Sequence, residues 1–318
     1  MNTALKLGGF VAVLAVILAG AFGIGNAVGP IGGTDMKTTT GHGTETGTQE
    51  STTASNLPAG LQVSEQGYTL ELDDPILSSG ATEVSFRVTG PDGKPVTRFE
   101  TSHDKDLHFI AVRRDTSGFQ HVHPTMSTDG TWSTSLNLTP GTWRFFADFV
   151  PQGGESSITL GIDAFVAGDY APQPLPSQKR TTTVDGYTVA LDGNLTPGET
   201  SELTLTVERN GKPITDIEPY LAAYGHLVAL RVGDLGYLHV HPDGEPGDGV
   251  TNPGPHITFM TTAPTAGSYR LFLDFKHDGV VRTAEFTVHT SGGHTGDSHA
   301  GEMNSTDDAA PAAHEEGH

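Results

Sequence analysis

Between residues 61 and 289 the apolar positions recur every second residue, in short runs. "EVSFRV" (residues 83–88) and "ELTLTV" (202–207) alternate apolar and polar, and "HFIAVR" (108–113), "TWSTSLNL" (131–138) and "WRFFADF" (143–149) continue as short strand-length runs. A period of two sends successive side chains to opposite faces of a strand. Gly-, Pro- and Asn-containing turns bound the runs. Roughly seven such strands per hundred residues is the pattern of a β-sandwich. No segment of this region carries the three-to-four-residue period of an amphipathic helix.

The pattern occurs twice. "GYTLELD" at residue 67 returns as "GYTVALD" at 186, and "DGKPVT" at 92 as "NGKPIT" at 210. "HFIAVRRDTSGFQHVHP" at 108 returns as "HLVALRVGDLGYLHVHP" at 226, 118 positions later and without a gap. "GTWRFFADF" at 141 matches "GSYRLFLDF" at 267, 126 positions later, so the second copy carries an insertion, which fits "DGEPGDGVTNPGPH" at 243–256. The expected fold class is all-β: two tandem immunoglobulin-like or cupredoxin-like β-sandwiches, residues 61–170 and 181–289. The proline-rich "APQPLPSQKR" (171–180) would link them.

The ends differ in composition. Residues 7–28 form an uncharged, mostly apolar run behind Lys6, and at 1.5 Å per residue they are long enough to cross a bilayer. The favoured reading of residues 1–28 is a transmembrane anchor, giving a single-pass cell-membrane protein with its bulk outside the cytoplasm. The alternative is a cleaved signal and a secreted protein. Residues 29–60 are rich in Thr and Gly and read as a flexible stalk. Residues 290–318 carry histidines among carboxylates with no Lys or Arg and read as a disordered acidic tail.

Charge and composition narrow the function. The formal net charge of −21 over 318 residues disfavours nucleic acid and anionic membrane surfaces as partners and suits a cation. Cysteine is absent, which removes disulfides, thiolate metal sites and thiol nucleophiles. No Ser-His-Asp elbow, phosphate loop or paired-carboxylate motif stands out, so no enzymatic activity is expected.

The remaining chemistry lies in histidine. His121 and His123 are two apart, as are His239 and His241, and each pair follows another histidine, His108 or His226. On one strand a His-x-His step shares a face, and an antiparallel hairpin returns His108 close to His123. Each copy can therefore gather three imidazoles, three corners of a metal polyhedron. Asp148 and Asp274 follow at equivalent positions as ligands or as acceptors that orient an imidazole. The candidate metal residues are His108, His121, His123, Asp148, His226, His239, His241 and Asp274. The alternative is a structural network in which the same histidines bond to Asp148 or to backbone. Nitrogen ligands with one carboxylate suit a copper or zinc ion, with copper favoured by the Irving–Williams order. His256 and His277 are candidates for the mouth of the second site, and Met126 and Met260 for soft ligands or packing. The tail histidines His294, His299, His314 and His318 are candidates for weak metal capture.

"GHLVALRVGDLGYLHVHP" and "YRLFLDFKHDGVVRTAEFTV" resemble a family of exported, membrane-anchored bacterial proteins described as heavy-metal-binding or uncharacterised. The resemblance implies a β-sandwich outer domain and a link to copper or other heavy-metal handling, with another metal-handling protein as a possible partner. It covers His226, His239, His241 and Asp274 closely, and His108, His121, His123 and Asp148 more loosely. "GFQHVHPTMSTDG" is also similar to the copper strand of copper/zinc superoxide dismutases. However, Gln120 is inserted before the His step, and no second histidine cluster supplies a zinc site. Multicopper oxidases need more His-x-His pairs and a cysteine. The expected function is thus extracytoplasmic, non-catalytic binding of a transition metal for homeostasis or resistance. The alternative is a non-metal immunoglobulin-like structural or interaction module, and a dismutase-like enzyme ranks last.

Overall fold

The structure is a computed structural model that describes residues 57–238 and 240–290. Every regular element among them is a β-strand. The first copy contains β1 (Ser64–Glu65), β2 (Tyr68–Leu72), β3 (Ile76–Leu77), β4 (Gly80–Thr89), β5 (Phe99–Glu100), β6 (His108–Arg113), β7 (Gln120–Val122), β8 (Thr125–Met126), β9 (Trp132–Leu138), β10 (Gly141–Pro151) and β11 (Ile158–Val166). The second contains β12 (Thr181–Val184), β13 (Tyr187–Asp192), β14 (Thr200–Arg209), β15 (Lys212–Pro213), β16 (His226–Arg231), β17 (Tyr237–Leu238), β18 (Val240–Pro242), β19 (His256–Thr262), β20 (Ser268–His277) and β21 (Val280–His289).

Each copy folds as two sheets over a core, and the strand orders correspond. In the first copy the sheets run β1-β2-β4-β9-β8 and β3-β11-β10-β6-β7. In the second they run β12-β13-β14-β19-β18 and β17-β16-β20-β21. Registers repeat as well: His108 pairs with Asp148 across β6 and β10, and His226 with Asp274 across β16 and β20. The first core is built around Phe86, Phe109, Trp143 and Phe145, the second around Tyr187, Phe259, Leu271 and Phe286.

The two copies are not beads on a linker. Both lie within one compact unit, and a third apolar cluster joins them: Ile110, Val112 and Phe146 from the first, Val228, Leu230, Leu235 and Phe272 from the second. The alternation of the strands explains this cluster. On β6, Phe109 and Ala111 enter the first core while Ile110 and Val112 enter the shared one. On β20, Leu271, Leu273 and Phe275 face inward while Phe272 faces the other copy. That is why β6 is buried at all six positions. Phe119 stacks on Phe272 with centroids 4.0 Å apart and planes 5° apart. Tyr237 and Phe146, which stand at the corresponding positions of the opposite copies, meet at 5.7 Å. The contact is therefore self-complementary, like a two-fold dimer interface built within one chain.

The amino-terminal approach departs from the expected stalk in its last residues. Gly60 donates its N–H to the Thr159 carbonyl of the first copy, and the Ala59 carbonyl accepts the N–H of Tyr237 of the second. The segment lies so close to β11 that a Cβ on Gly161 would sit 2.0 Å from the Gly60 carbonyl oxygen. Short-range polarity suggested a free chain here, but the bonds come from strands far away in sequence. The anchor (1–28), the rest of the stalk (29–56) and residues 291–318 of the tail lie outside the described residues. Among the described residues, no helix is long and apolar enough to cross a membrane.

Phe272 is fully buried between the copies. Phe272→Ala should cost about 3–5 kcal/mol, the usual range for truncating a buried aromatic, read as a lower urea midpoint. A loss below about 1 kcal/mol would mean that the shared cluster does not hold the copies together.

Candidate metal centre

The repeated His-Val-His-Pro segment sits where the chain passes from one sheet of a sandwich to the other. In the first copy His121 lies on β7, which pairs with β6, and after Pro124 the chain enters β8, which pairs with β9. The expectation that His121 and His123 ride on one strand is therefore corrected: β7 ends at Val122, and His123 belongs to the crossover. The hairpin expectation holds. Phe109 pairs with Val122 and Ile110 with His121, which places His108 opposite His123.

The three rings converge. One ligating nitrogen from each of His108, His121 and His123 lies within 4.8 Å of the others. His108 Nδ1 is 3.2 Å from His121 Nε2 and 3.2 Å from His123 Nε2. Nitrogens bound tetrahedrally to one ion at about 2.0–2.1 Å stand roughly 3.3 Å apart, and the two separations from His108 Nδ1 are close to that value.

The outer nitrogens fix the tautomers. His108 Nε2 lies 3.0 Å from the Ser102 carbonyl, which can only accept, so Nε2 carries the hydrogen and Nδ1 is bare in the neutral ring. His121 Nδ1 lies 2.9 Å from Asp274 Oδ2, so its hydrogen is on Nδ1 and Nε2 is bare. His123 can donate to His108 Nδ1, but the His108–His121 contact then remains a meeting of two lone pairs. No set of neutral tautomers satisfies both contacts; one added positive charge, a proton or a metal ion, does.

Burial keeps the rings in the ligating form. Removal from water lowers the pKa of His108 to about 4, with His121 nearby adding to the fall. It lowers His123 to about 3, again with His121 as the next cause. His226, from the second copy, is lowered to about 4 by burial and then by His121, His103 and His108.

The second copy meets the same place from the other side. The His226 ring lies 6.3 Å from those of both His108 and His121. Its Nε2 is 3.0 Å from the Tyr220 carbonyl, the repeat of the His108–Ser102 bond. Asp274 was expected to serve its own copy, yet it bonds His121 of the other. Its second oxygen accepts the Thr283 hydroxyl at 2.6 Å. Asp148 makes no hydrogen bond to the three clustered histidines; it accepts from Ser157 and, at 3.2 Å, from Thr159. Asp148, His226 and His241 line, with His103, His108 and His121, one cavity of about 600 Å³ between the copies. His241 is exposed, and His239 lies outside the described residues.

Two contributors were not singled out from sequence. His103 packs its ring 5.2 Å from His226, and Tyr220 lies 6.2 Å from His123 and 5.9 Å from His226. His103 has no counterpart in the second copy, so the repeat gave it no weight, and Tyr220 sits in an irregular loop. His256 and His277 are not at this site. His256 bonds Thr206 at 2.9 Å, and His277 bonds the Tyr187 hydroxyl at 2.7 Å and Asp216 at 3.1 Å. Met126 packs against the first core. The tail histidines lie outside the described residues.

A family profile described as "Domain of unknown function (DUF8832)" matches residues 62–164 and again 182–292, well over half of the chain. The chain belongs to that family, with two copies of its domain. No curated protein matches the chain in sequence. Among solved structures it is similar to FdeC, an Escherichia coli adhesin, at 18% identity over 72% of this chain and 65% of that one, with a TM-score of 0.22. The fibronectin(III)-like modules of Clostridium thermocellum CbhA match at 12% identity over 70% of this chain and 94% of theirs, TM-score 0.20. Invasin, a bacterial integrin-binding protein, matches at 16% over 70% of this chain and 39% of its own, TM-score 0.22. The chain thus spans less than two thirds of FdeC and of invasin.

The lowered histidines predict a pH dependence. Between their folded values, about 3–4, and the ordinary value of 6.5, the unfolded chain binds protons that the folded chain does not. Stability contributed by His108, His123 and His226 is therefore complete above pH 6.5 and falls as pH drops toward 4. Urea unfolding of metal-free protein should show the decline already between pH 6.5 and 5, before most carboxylates titrate, at no more than about 1.4 kcal/mol per pH unit per ring. A flat profile in that window would contradict the burial of neutral rings.

Proposed function

We propose that this member of the DUF8832 family is an extracytoplasmic, non-catalytic binding protein. In this reading its two β-sandwiches hold a divalent transition-metal ion on His108, His121 and His123, for metal homeostasis or resistance. The observation that carries the reading is the contact of His108 Nδ1 with His121 Nε2 at 3.2 Å, with the hydrogens of both rings committed to Ser102 and Asp274. Buried polar groups are rarely left without partners, and a bound ion removes this conflict. Three imidazoles with a fourth position toward the cavity suit zinc, and the Irving–Williams order favours copper(II) at equal geometry. The negative net charge of the chain favours cation approach. An export or anchoring role for residues 7–28 would put the site outside the cytoplasm.

The second reading is an immunoglobulin-like module that presents its surface to another protein. Among the similar structures, FdeC is described as an adhesin and invasin as integrin-binding. TM-scores of 0.22 carry no argument about what this chain binds, and the histidine geometry is the specific feature that favours the first reading. A spacer module has no need of three clustered imidazoles in which the bare nitrogens of His108 and His121 face one another.

Titration of the purified protein with copper(II) or zinc(II) separates the readings. The metal-binding reading expects one tight equivalent at the cluster above any weak uptake by the tail. His121→Ala/His123→Ala should remove the tight component, with affinity falling by more than 100-fold, and leave the weak one. Because His108 and His123 are neutral well below pH 6.5, tight uptake should persist at pH 6. Equal binding by wild type and double variant would move the metal elsewhere and return the second reading to first place.

A further inference from the structure

The three clustered histidines all belong to the first sandwich, but the group that orients one of them does not. Asp274 lies on β20 of the second sandwich and is 3% exposed. Its Oδ2 takes the His121 Nδ1–H at 2.9 Å, and its Oδ1 takes the Thr283 hydroxyl at 2.6 Å from the neighbouring strand. The side chains of the His121–Asp274 pair are 4% and 5% exposed. One pair of alternate positions away, Phe119 stacks on Phe272. The stack and the His121–Asp274 hydrogen bond are thus successive contacts along one docking surface, and a shift that separates the rings withdraws the carboxylate from His121.

We propose that Asp274 is a positioning residue for a metal site whose ligands lie in the other sandwich, so that loading the site and docking the two sandwiches are one linked event. This rests on the metal reading above. An orienting carboxylate fixes the tautomer and aim of a ligating imidazole and makes it a better donor. The docked arrangement supplies that carboxylate, and an undocked one does not. Whatever factor docking adds to metal affinity, metal must add to docking. The ion therefore acts as a staple between the copies while touching side chains of only one.

The test is competition titration of the full chain with zinc(II), together with thermal unfolding with and without zinc. Asp274→Asn keeps the shape of the side chain and removes its charge. It should weaken zinc binding about 10–100-fold at unchanged stoichiometry, and reduce the zinc-induced rise in Tm relative to the metal-free Tm of the same variant. Thr283→Val, a milder change, should weaken binding several-fold and serves if Asp274→Asn folds poorly. Hydrogen exchange at the amides of residues 108–113 and 269–274 should slow with zinc in the wild type and not in Asp274→Asn. Wild-type zinc affinity in both variants, with wild-type binding tight, would overturn the linkage and leave the metal site standing. Absence of tight zinc or copper binding in the wild type would overturn both.

Discussion

The structure depends on a few strands that are buried on both faces. β6 and β10 in the first sandwich, and β16 and β20 in the second, give one face to their own core and the other to the shared cluster of Ile110, Val112, Phe146, Val228, Leu230 and Phe272. A sheet face left in water needs polar residues, and these strands carry aromatic and branched ones instead, so the two copies must meet. Once they do, the few polar residues on the same faces are carried into a region with little water. His108 precedes Ile110 by two positions, Asp148 follows Phe146 by two, and Asp274 follows Phe272 by two. The candidate site is thus the polar margin of an apolar interface.

That origin accounts for the electrostatics. Imidazoles drawn under the edge of the interface lose hydration, which disfavours their protonated form and holds His108, His123 and His226 neutral over the whole physiological range. The outer nitrogens of His108 and His226 are satisfied by carbonyls of the loops just before β6 and β16, which leaves their Nδ1 atoms as acceptors.

Much of this was legible in the sequence. The period of two gave the strands, and the 118- and 126-residue offsets gave the equivalence of β6 with β16 and β10 with β20, including the His108–Asp148 and His226–Asp274 registers. The convergence of His108, His121 and His123 followed from hairpin geometry, although His123 reaches the cluster from a crossover rather than from the same strand as His121. The meeting of the copies was hidden. The full apolarity of "HFIAVR" was visible, but a run of that kind fits a central strand of one sandwich equally well. Without the second buried face, Asp148 and Asp274 were assigned to their own copies, His103, present in one copy only, carried little weight, and Tyr220 had no reason to be noticed. Such long-range pairings arise from docking, which no local period encodes.

X-ray absorption at the metal edge of the protein, loaded with one equivalent of copper(II) or zinc(II) and then dialysed, tests the central claim most directly. The account predicts a retained ion with about three imidazole nitrogens at roughly 2.0 Å, a count that falls when His121 and His123 are replaced. An ion lost on dialysis, or one held mainly by oxygen and unchanged by those replacements, would contradict it.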